Sequence, residues 1–383
     1  MKRKIPKVGM YFNPRQRLEL DFFMGVEAYA AEEAEWELMP IPDCRLNTRL
    51  MLPGMKLDGL VVAGGHLTYL PDADWRFPVS ACHQESLTYP GSHLENRLTG
   101  EMAAEHLLGL GAKTLVYFHD LSRKELDAER LAGFRELVEA RGRKVLSFGE
   151  GRRTKRYGWS LDRQVEDLAA FLREHDEPLG VFCFDDVHAE RMMLACARAG
   201  RRIPEEVALL GVTDVPAFCE VLRPRLSAVE VDTVGMGRAA ASVLEDLLQG
   251  RDAPRHIAVP PLGIQAREST RVLMSPDELI RRANDWLEAR EPSDWSVKIM
   301  SRDLHCSSMT LLRRFQRELG RSPLEEIQRR KLERARRLLR EDRETVSTIA
   351  QDCGFTDAAH FTHVFVRETG LTPGVYRKEA GRK

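Results

Sequence analysis

Six polar residues stand just past apolar runs, where they could converge on a ligand: Asn13, His66, His83, Asp185, Asp186 and Asp214. Carboxylates, imidazoles and an amide in that position suit hydrogen bonding to a small polar molecule. Taken singly, each is equally readable as a loop residue or a helix cap. A second pattern lies further on. The stretch FQRELGRSP, Phe315 to Pro323, recurs as FVRETGLTP, Phe365 to Pro373, 50 residues later. The register also pairs Leu311 with Phe361, Arg317 with Arg367, Glu318 with Glu368 and Gly320 with Gly370. Two copies are too few for a solenoid; they describe one small module used twice.

Motifs for other chemistry are missing or misplaced. There is no GxxxxGK[ST], HExxH or GxSxG, and His188-Ala-Glu190 lacks a second suitably spaced metal ligand. Gly235-Met-Gly237-Arg-Ala-Ala240 fits the dinucleotide fingerprint GxGxxA. That fingerprint needs a preceding strand, whereas this one sits inside a helical pattern, where small residues allow close packing. No metal, no cofactor and no catalytic residue is therefore expected. The seven cysteines are scattered without a CxxC pair, as expected for thiols in a reducing compartment. The basic start MKRKIPKVGMYFN has no signal-peptide core behind it. No apolar run approaches the roughly 18 residues of a membrane span. A soluble, cytoplasmic protein is expected.

The elements that must position these residues divide the 383-residue chain in two. From Lys7 to about Val272, short apolar runs alternate with helical patterns. Strands are predicted at 7–12, 57–63, 77–82, 114–118, 180–184 and 207–212. Helices are predicted at 18–33, 101–110, 126–141, 165–174, 189–199 and 234–248. Such alternation describes parallel sheets covered on both faces, and ligands of such sheets bind beyond the carboxyl ends of the strands. From Ser275 onward the pattern is helical throughout, roughly seven helices, with a linker near 269–275. Ser275-Pro-Asp-Glu278 reads as a helix start with Ser275 as cap. The repeat reads as helix, tight turn, helix, with turns at His305-Cys-Ser307 and Cys353-Gly-Phe-Thr356, each second helix opening on Ser or Thr. That is a helix-turn-helix, whose second helix fits a major groove. Charge agrees: residues 275–383 hold 22 Lys+Arg against 18 Asp+Glu, leaving 36 basic and 41 acidic residues elsewhere. An acidic body with a basic tail points to nucleic acid.

Residues 8–270 resemble the LacI/GalR regulators and the periplasmic sugar-binding proteins. The resemblance rests on LTGEMAAEHLLGLGAKTLVYF, ERLAGFRELVEARG, GVFCFDDVHAERMMLACARAG, RIPEEVALLGVTD and AREST. It implies two α/β subdomains joined by three crossovers, near 93–97, 227–231 and 257–260, with a small sugar effector in the cleft. Carried over residue by residue, the effector contacts are Asn13, Arg130, Asp185, Asp186, Thr213 and Asp214. Thr213 puts a hydroxyl where the family usually has a carboxylate, and Glu95 stands where it usually has Asp, leaving the sugar's identity open. The family's amino-terminal DNA-binding headpiece has no counterpart ahead of the first strand.

Residues 275–379 resemble the AraC/XylS regulators through SSMTLLRRFQRELGRSPLEEIQRRKLERARRLL and IAQDCGFTDAAHFTHVFVRETGLTPGVYRK. The resemblance implies two helix-turn-helix units joined by one long helix, Leu324 to Arg340, about 25 Å long. That spacing lets two recognition helices enter successive major grooves, about 34 Å apart. The implied DNA contacts are Met309, Leu312, Arg313 and Arg314 in the first copy, and Ala358, Ala359, Thr362 and His363 in the second. Arg302, Arg314, Arg329, Arg330 and Arg337 are phosphate candidates. Leu304, Leu311, Phe315 and Leu319, and Phe355, Phe361 and Phe365, are core. Ile327, Leu332, Ala335, Leu338 and Leu339 form the stripe of the long helix that anchors both units.

The fold class expected is an α/β periplasmic-binding-protein-like sensor of two subdomains (1–272) followed by an all-α domain with two helix-turn-helix units (275–383). The order resembles the xylose-operon activators over essentially the whole chain. It implies a homodimeric transcription regulator binding an operator with repeated half-sites, controlled by a small carbohydrate such as xylose, working with RNA polymerase and away from membranes. Two alternatives remain open: a carbohydrate-metabolising enzyme with a DNA-binding tail, and a constitutive DNA-binding protein with a vestigial sensor.

Overall fold

Runs such as Gly59–Val62 and Leu179–Cys183 are buried at every position, which only a strand covered on both faces allows. A computed structural model of the protein describes residues 5–13, 16–42, 54–63, 77–82, 89–119, 124–149, 161–252, 254–271, 275, 277–341 and 344–380. His66, His83 and part of the expected linker lie outside the described residues. The chain divides into two units, 1–99 with 122–129 and 231–261, and 100–121 with 130–230 and 262–383.

The first unit holds β1 (Lys7–Phe12), β2 (Glu37–Pro42), β3 (Gly59–Val62), β4 (Val79–Cys82), β5 (Gly91–Leu94) and β11 (His256–Val259). They run in the order β11-β5-β4-β3-β1-β2, and all recorded pairings are parallel. The helices Arg17–Glu32 and Thr233–Leu248 cross at Gly25 and Gly237. A Cβ at Gly25 would stand 2.0 Å from Val234 O, and one at Gly237 1.9 Å from Phe22 O. The GxGxxA stretch thus serves close helix packing, as its helical context predicts.

The second unit carries the sheet β12-β10-β9-β8-β6-β7, with β6 (Thr114–Phe118), β7 (Lys144–Phe148), β8 (Leu179–Cys183), β9 (Val207–Thr213), β10 (Ser227–Glu230) and β12 (Gly263–Gln265). Only β12 is antiparallel, against β10. β2, β5, β7, β10, β11 and β12 escape a search for apolar runs because they carry polar residues. Burial is tolerated where these are bonded: Ser92 Oγ donates to Met236 O at 2.8 Å, and Ser227 N–H donates to Ser269 Oγ at 2.8 Å.

Seven α-helices follow among the described residues from Glu278 on, and their apolar stripes close two cores. Ile280, Trp286, Met300, Leu304, Leu311, Phe315, Leu319 and Ile327 form one. Leu332, Ala335, Leu339, Ile349, Phe355, Phe361, Phe365 and Tyr376 form the other, with Leu338 packed against it. The helix Pro323–Glu341 contributes to both. It begins with a capping box: Ser322 N–H donates to Glu325 Oε2 at 2.6 Å and Glu325 N–H to Ser322 Oγ at 3.2 Å. Two expected caps move. Asp277, not Ser275, caps Glu278–Glu288, because its carboxylate accepts from Leu279 N–H while Arg314 and Arg317 hold it. Asp357, not Thr356, caps Ala358–Thr369, accepting from His360 N–H at 2.7 Å.

Candidate functional site

In each sheet the strand order reverses beside the first strand of the unit, between β1 and β3 and between β6 and β8. Such switch points open a crevice at the carboxyl ends of the strands. Asn13 follows β1 at the first of them. Its N–H donates to Glu19 Oε2 at 2.6 Å, and its carbonyl accepts from Gln16 N–H at 3.0 Å.

The other candidates gather in the second unit. Phe184, one residue past β8, is tied to β6 by its N–H on Phe118 O at 3.0 Å. Arg130, 5% exposed, donates from Nη1 to Phe184 O, and its guanidinium lies 4.3 Å from the Phe184 ring centre. The helix Lys124–Ala140 presents Arg130 so closely that a Cβ at Gly100 would stand 2.0 Å from Arg130 O. Asp185 is the cap of Asp186–Ala199: its Oδ1 accepts from His188 N–H at 2.8 Å and lies 2.6 Å from His188 Nδ1.

Asp186 is 1% exposed, and Oδ2 accepts from Thr213 Oγ1–H at 2.8 Å and Val215 N–H at 2.9 Å. Its Oδ1 is buried without a hydrogen-bond partner. Burial raises its pKa from 3.8 to about 7, against the two donors that favour the carboxylate. Thr213 and Asp214 hold φ of 107° and 59°, a conformation costly for side-chain-bearing residues and frequent at functional turns. Asp214 accepts from Arg267 at 2.7 Å. Arg267 lies in the AREST motif, whose spacing alone assigns it no role. Burial opposes the Arg267 charge, but Asp214 and Glu220 outweigh it and hold its pKa above the ordinary value.

The second candidate surface is the tandem helix-turn-helix. Val297–Asp303 and Ser308–Leu319 meet at a turn where His305 has φ 54°; Val346–Asp352 and Ala358–Thr369 meet where Gly354 has φ 71°. Ser307 caps the first recognition helix, accepting from Thr310 N–H at 3.0 Å. Both recognition helices end on a left-handed glycine, Gly320 and Gly370. Met309 is 57% exposed, Arg313, Ala359 and His363 are exposed, and Leu312, Ala358 and Thr362 are half-buried. Thr362 Oγ1 donates to Ala358 O at 2.7 Å, and Arg314 is paired with Asp277 at 2.6 Å.

Arg329 and Arg330, offered to phosphate by sequence, turn onto Glu326. This glutamate is 1% exposed and also accepts from Arg321 Nε at 2.6 Å. Burial raises the Glu326 pKa, but Arg329, Arg321 and Arg330 together hold it well below the usual carboxylate range. Arg321 Nη2 donates to Gly109 O at 2.9 Å, at the end of the helix Asn96–Gly109. His106 on that helix sits 3.0 Å from Thr270 Oγ1, and burial, with Arg329 and Arg321, pushes its pKa down to about 3. The imidazole is therefore neutral. This ionic joint links the α/β part of the second unit to the long helix. Among the described residues, no cluster of His, Cys, Asp and Glu could hold a metal, and no helix is long and apolar enough to cross a membrane.

Residues 104–270 match the Periplasmic binding protein-like domain family, and residues 300–379 match a Helix-turn-helix domain family. The Xylose operon regulatory protein of Escherichia coli (strain K12) is 25% identical over 383 residues, 97% of this chain and 96% of its own length. That of Haemophilus influenzae is 26% identical over 292 residues, 76% of this chain and 75% of its own. A solved xylose-binding transcription activator covers 99% of both chains with a TM-score of 0.59 and 24% identity, a likeness of fold. The chain thus joins a periplasmic-binding-protein-like body to a C-terminal helix-turn-helix domain of the AraC type, and it is a homologue of the xylose operon regulatory proteins.

Proposed function

We propose that this protein is a sugar-responsive, sequence-specific DNA-binding regulator that acts without catalytic turnover. The observation that carries the reading is the pair of helix-turn-helix units whose cores share the single helix Pro323–Glu341. Arg313, exposed on the first recognition helix, reads a guanine edge, and Met309 and Leu312 meet thymine methyls. Ala358, Ala359, Thr362 and His363 offer little hydrogen-bonding chemistry, so the second unit contributes position and shape readout. Arg314 supports Asp277 and the core more than it contacts DNA.

The effector is a small carbohydrate, with xylose the first choice. Asn13, Arg130, Asp186, Thr213 and Asp214 are its contacts, Asp185 orients the helix that carries Asp186, and Arg267 orients Asp214. The protein works in the cytoplasm as a homodimer on repeated half-sites and activates transcription through RNA polymerase. The sugar acts by binding one of two pre-existing arrangements more tightly, and the joint of Glu326, Arg321 and Gly109 carries the difference to the DNA-reading helices.

A monosaccharide panel on the full chain tests this reading, with thermal shift for sugar binding and footprinting for DNA. Xylose is expected to raise the melting temperature and alter the footprint. Arg313→Ala is expected to cost about 1–3 kcal/mol in DNA affinity and relax one base preference. Identical footprints with every sugar, or an unchanged base profile in the variant, would count against it.

A further inference from the structure

Several arginines that sequence reading offered to DNA phosphates line a cavity of about 510 Å³ instead, whose walls come from residues 106–110 and 264–271 as well as from the helical segment. Seven arginines and three glutamates line it. Most of that charge is already matched. Glu326 is occupied by Arg321, Arg329 and Arg330, Glu333 by Arg329, and Arg267 and Arg290 are held by Asp214 and Asp303. Arg271, Arg334 and Arg337 are left without a close partner, and they share the lining with one carboxylate, Glu288, that closes no ion pair among the described residues. Arg271 and Arg337 close no ion pair among the described residues. Arg334 reaches only the well-exposed Glu291, at 3.9 Å, and its Nε is buried without a hydrogen-bond partner.

A buried guanidinium N–H without an acceptor is costly, and the repulsion among Arg271, Arg334 and Arg337 is offset only in part, by Glu268 near Arg271, by Glu291 near Arg334 and by solvent at the exposed Arg271 and Arg337. An anion with several oxygens removes both costs, because planar guanidinium forks match phosphate oxygens two at a time. The volume is in the range of small-molecule sites, about 300–1,000 Å³, so it holds more than one phosphate. Leu287, Ile264 and Trp295 add apolar wall. Trp295 already spends its Nε1–H on Leu287 O and Arg290 O, at 2.9 and 3.1 Å, and so offers surface and no donor.

We propose that this cavity is a second ligand site, separate from the sugar contacts, which takes a small phosphorylated molecule with at least two phosphoryl groups through Arg271, Arg334 and Arg337. A ligand held by residues of both the α/β part and the long helix stabilises the arrangement in which they meet. It gives the protein an input beside the sugar.

The test is calorimetry on the full chain with pyrophosphate as the probe, compared with inorganic phosphate, a pentose monophosphate, a nucleoside triphosphate and a short DNA duplex. Pyrophosphate is expected to bind at least tenfold more tightly than inorganic phosphate, and the double variant Arg334→Ala, Arg337→Ala to lose at least tenfold of that affinity. Tighter binding of the pentose monophosphate than of pyrophosphate would overturn the requirement for two phosphoryl groups, whereas tighter binding of the nucleoside triphosphate would support it. Arg337→Lys is expected to lose less than Arg337→Ala, because charge is kept and only the fork is lost. Melting and sugar affinity of the variants, expected to stay at wild-type values, separate loss of the site from loss of the fold and from failure of the sugar reading. The proposal is overturned by absence of pyrophosphate binding, by equal binding in the double variant, or by displacement of pyrophosphate by duplex DNA, which would return these arginines to the DNA surface.

Discussion

Replacing Glu326 by Gln removes one charge from a group that is almost fully buried. The carboxylate accepts from Arg321 Nε at 2.6 Å, from Arg329 Nε at 3.0 Å and Nη2 at 2.9 Å, and from Arg330 Nε at 2.6 Å. Breaking a buried pair by removing one partner costs about 3–5 kcal/mol. Two arginines have reserves, Arg329 in Glu333 and Arg330 in Asn284, and Gln keeps one carbonyl acceptor. The loss should therefore lie near the lower bound, about 3 kcal/mol. Amide hydrogen exchange over Pro323–Glu341 reads it locally. A loss of about 3 kcal/mol lowers protection roughly a hundredfold, at about 1.4 kcal/mol per factor of ten. The amides of Asn96–Gly109 should lose protection with them, because Arg321 also holds Gly109 O. Protection within about twofold of wild type along the long helix would refute the assignment of Glu326 as the hub of the joint.

Asp186 gives a pH signature. Its pKa of about 7 in the fold lies above the unfolded 3.8, so between those values the folded protein binds a proton that the unfolded chain lacks. The contribution of Asp186 to stability is then greatest in acid and falls as pH rises through the window, by up to about 1.4 kcal/mol per pH unit. Asp186→Asn should flatten this slope in urea unfolding at pH 5 and pH 8; parallel slopes would show that the group is ionised throughout. Gly25→Ala in the first unit places a methyl 2.0 Å from Val234 O, so overpacking should cost about 1–3 kcal/mol or more. An unchanged melting temperature would show that the two helices yield freely.

The helical half was legible because its signals are local. Apolar residues recur at helical spacing, Gly320 and Gly370 end both recognition helices, and the fifty-residue repeat marks the module twice. The strand-end residues Asn13, Asp185, Asp186 and Asp214 were legible for the same reason. The polar strands Gly91–Leu94 and Ser227–Glu230 were not, because bonds from elements far along the chain justify their burial. Nor could spacing show that Arg267 would pair with Asp214, or that Arg321 would reach Gly109 across 212 positions. The cap at Asp277 was misplaced by two residues because its decisive partners, Arg314 and Arg317, lie 37 and 40 positions away.

The shared helix has an evolutionary corollary. Ile327 belongs to one hydrophobic nucleus and Leu332 to the next, so the boundary between them is about one helical turn wide. Adding or deleting a residue there would swing everything beyond it by about 100° around the axis and break one nucleus or the other. Lineages of this protein are thus barred from retuning the separation of their two docking points by small indels. Diversification must proceed through substitutions on the outward faces of the recognition helices, while the distance between them is inherited as a constant.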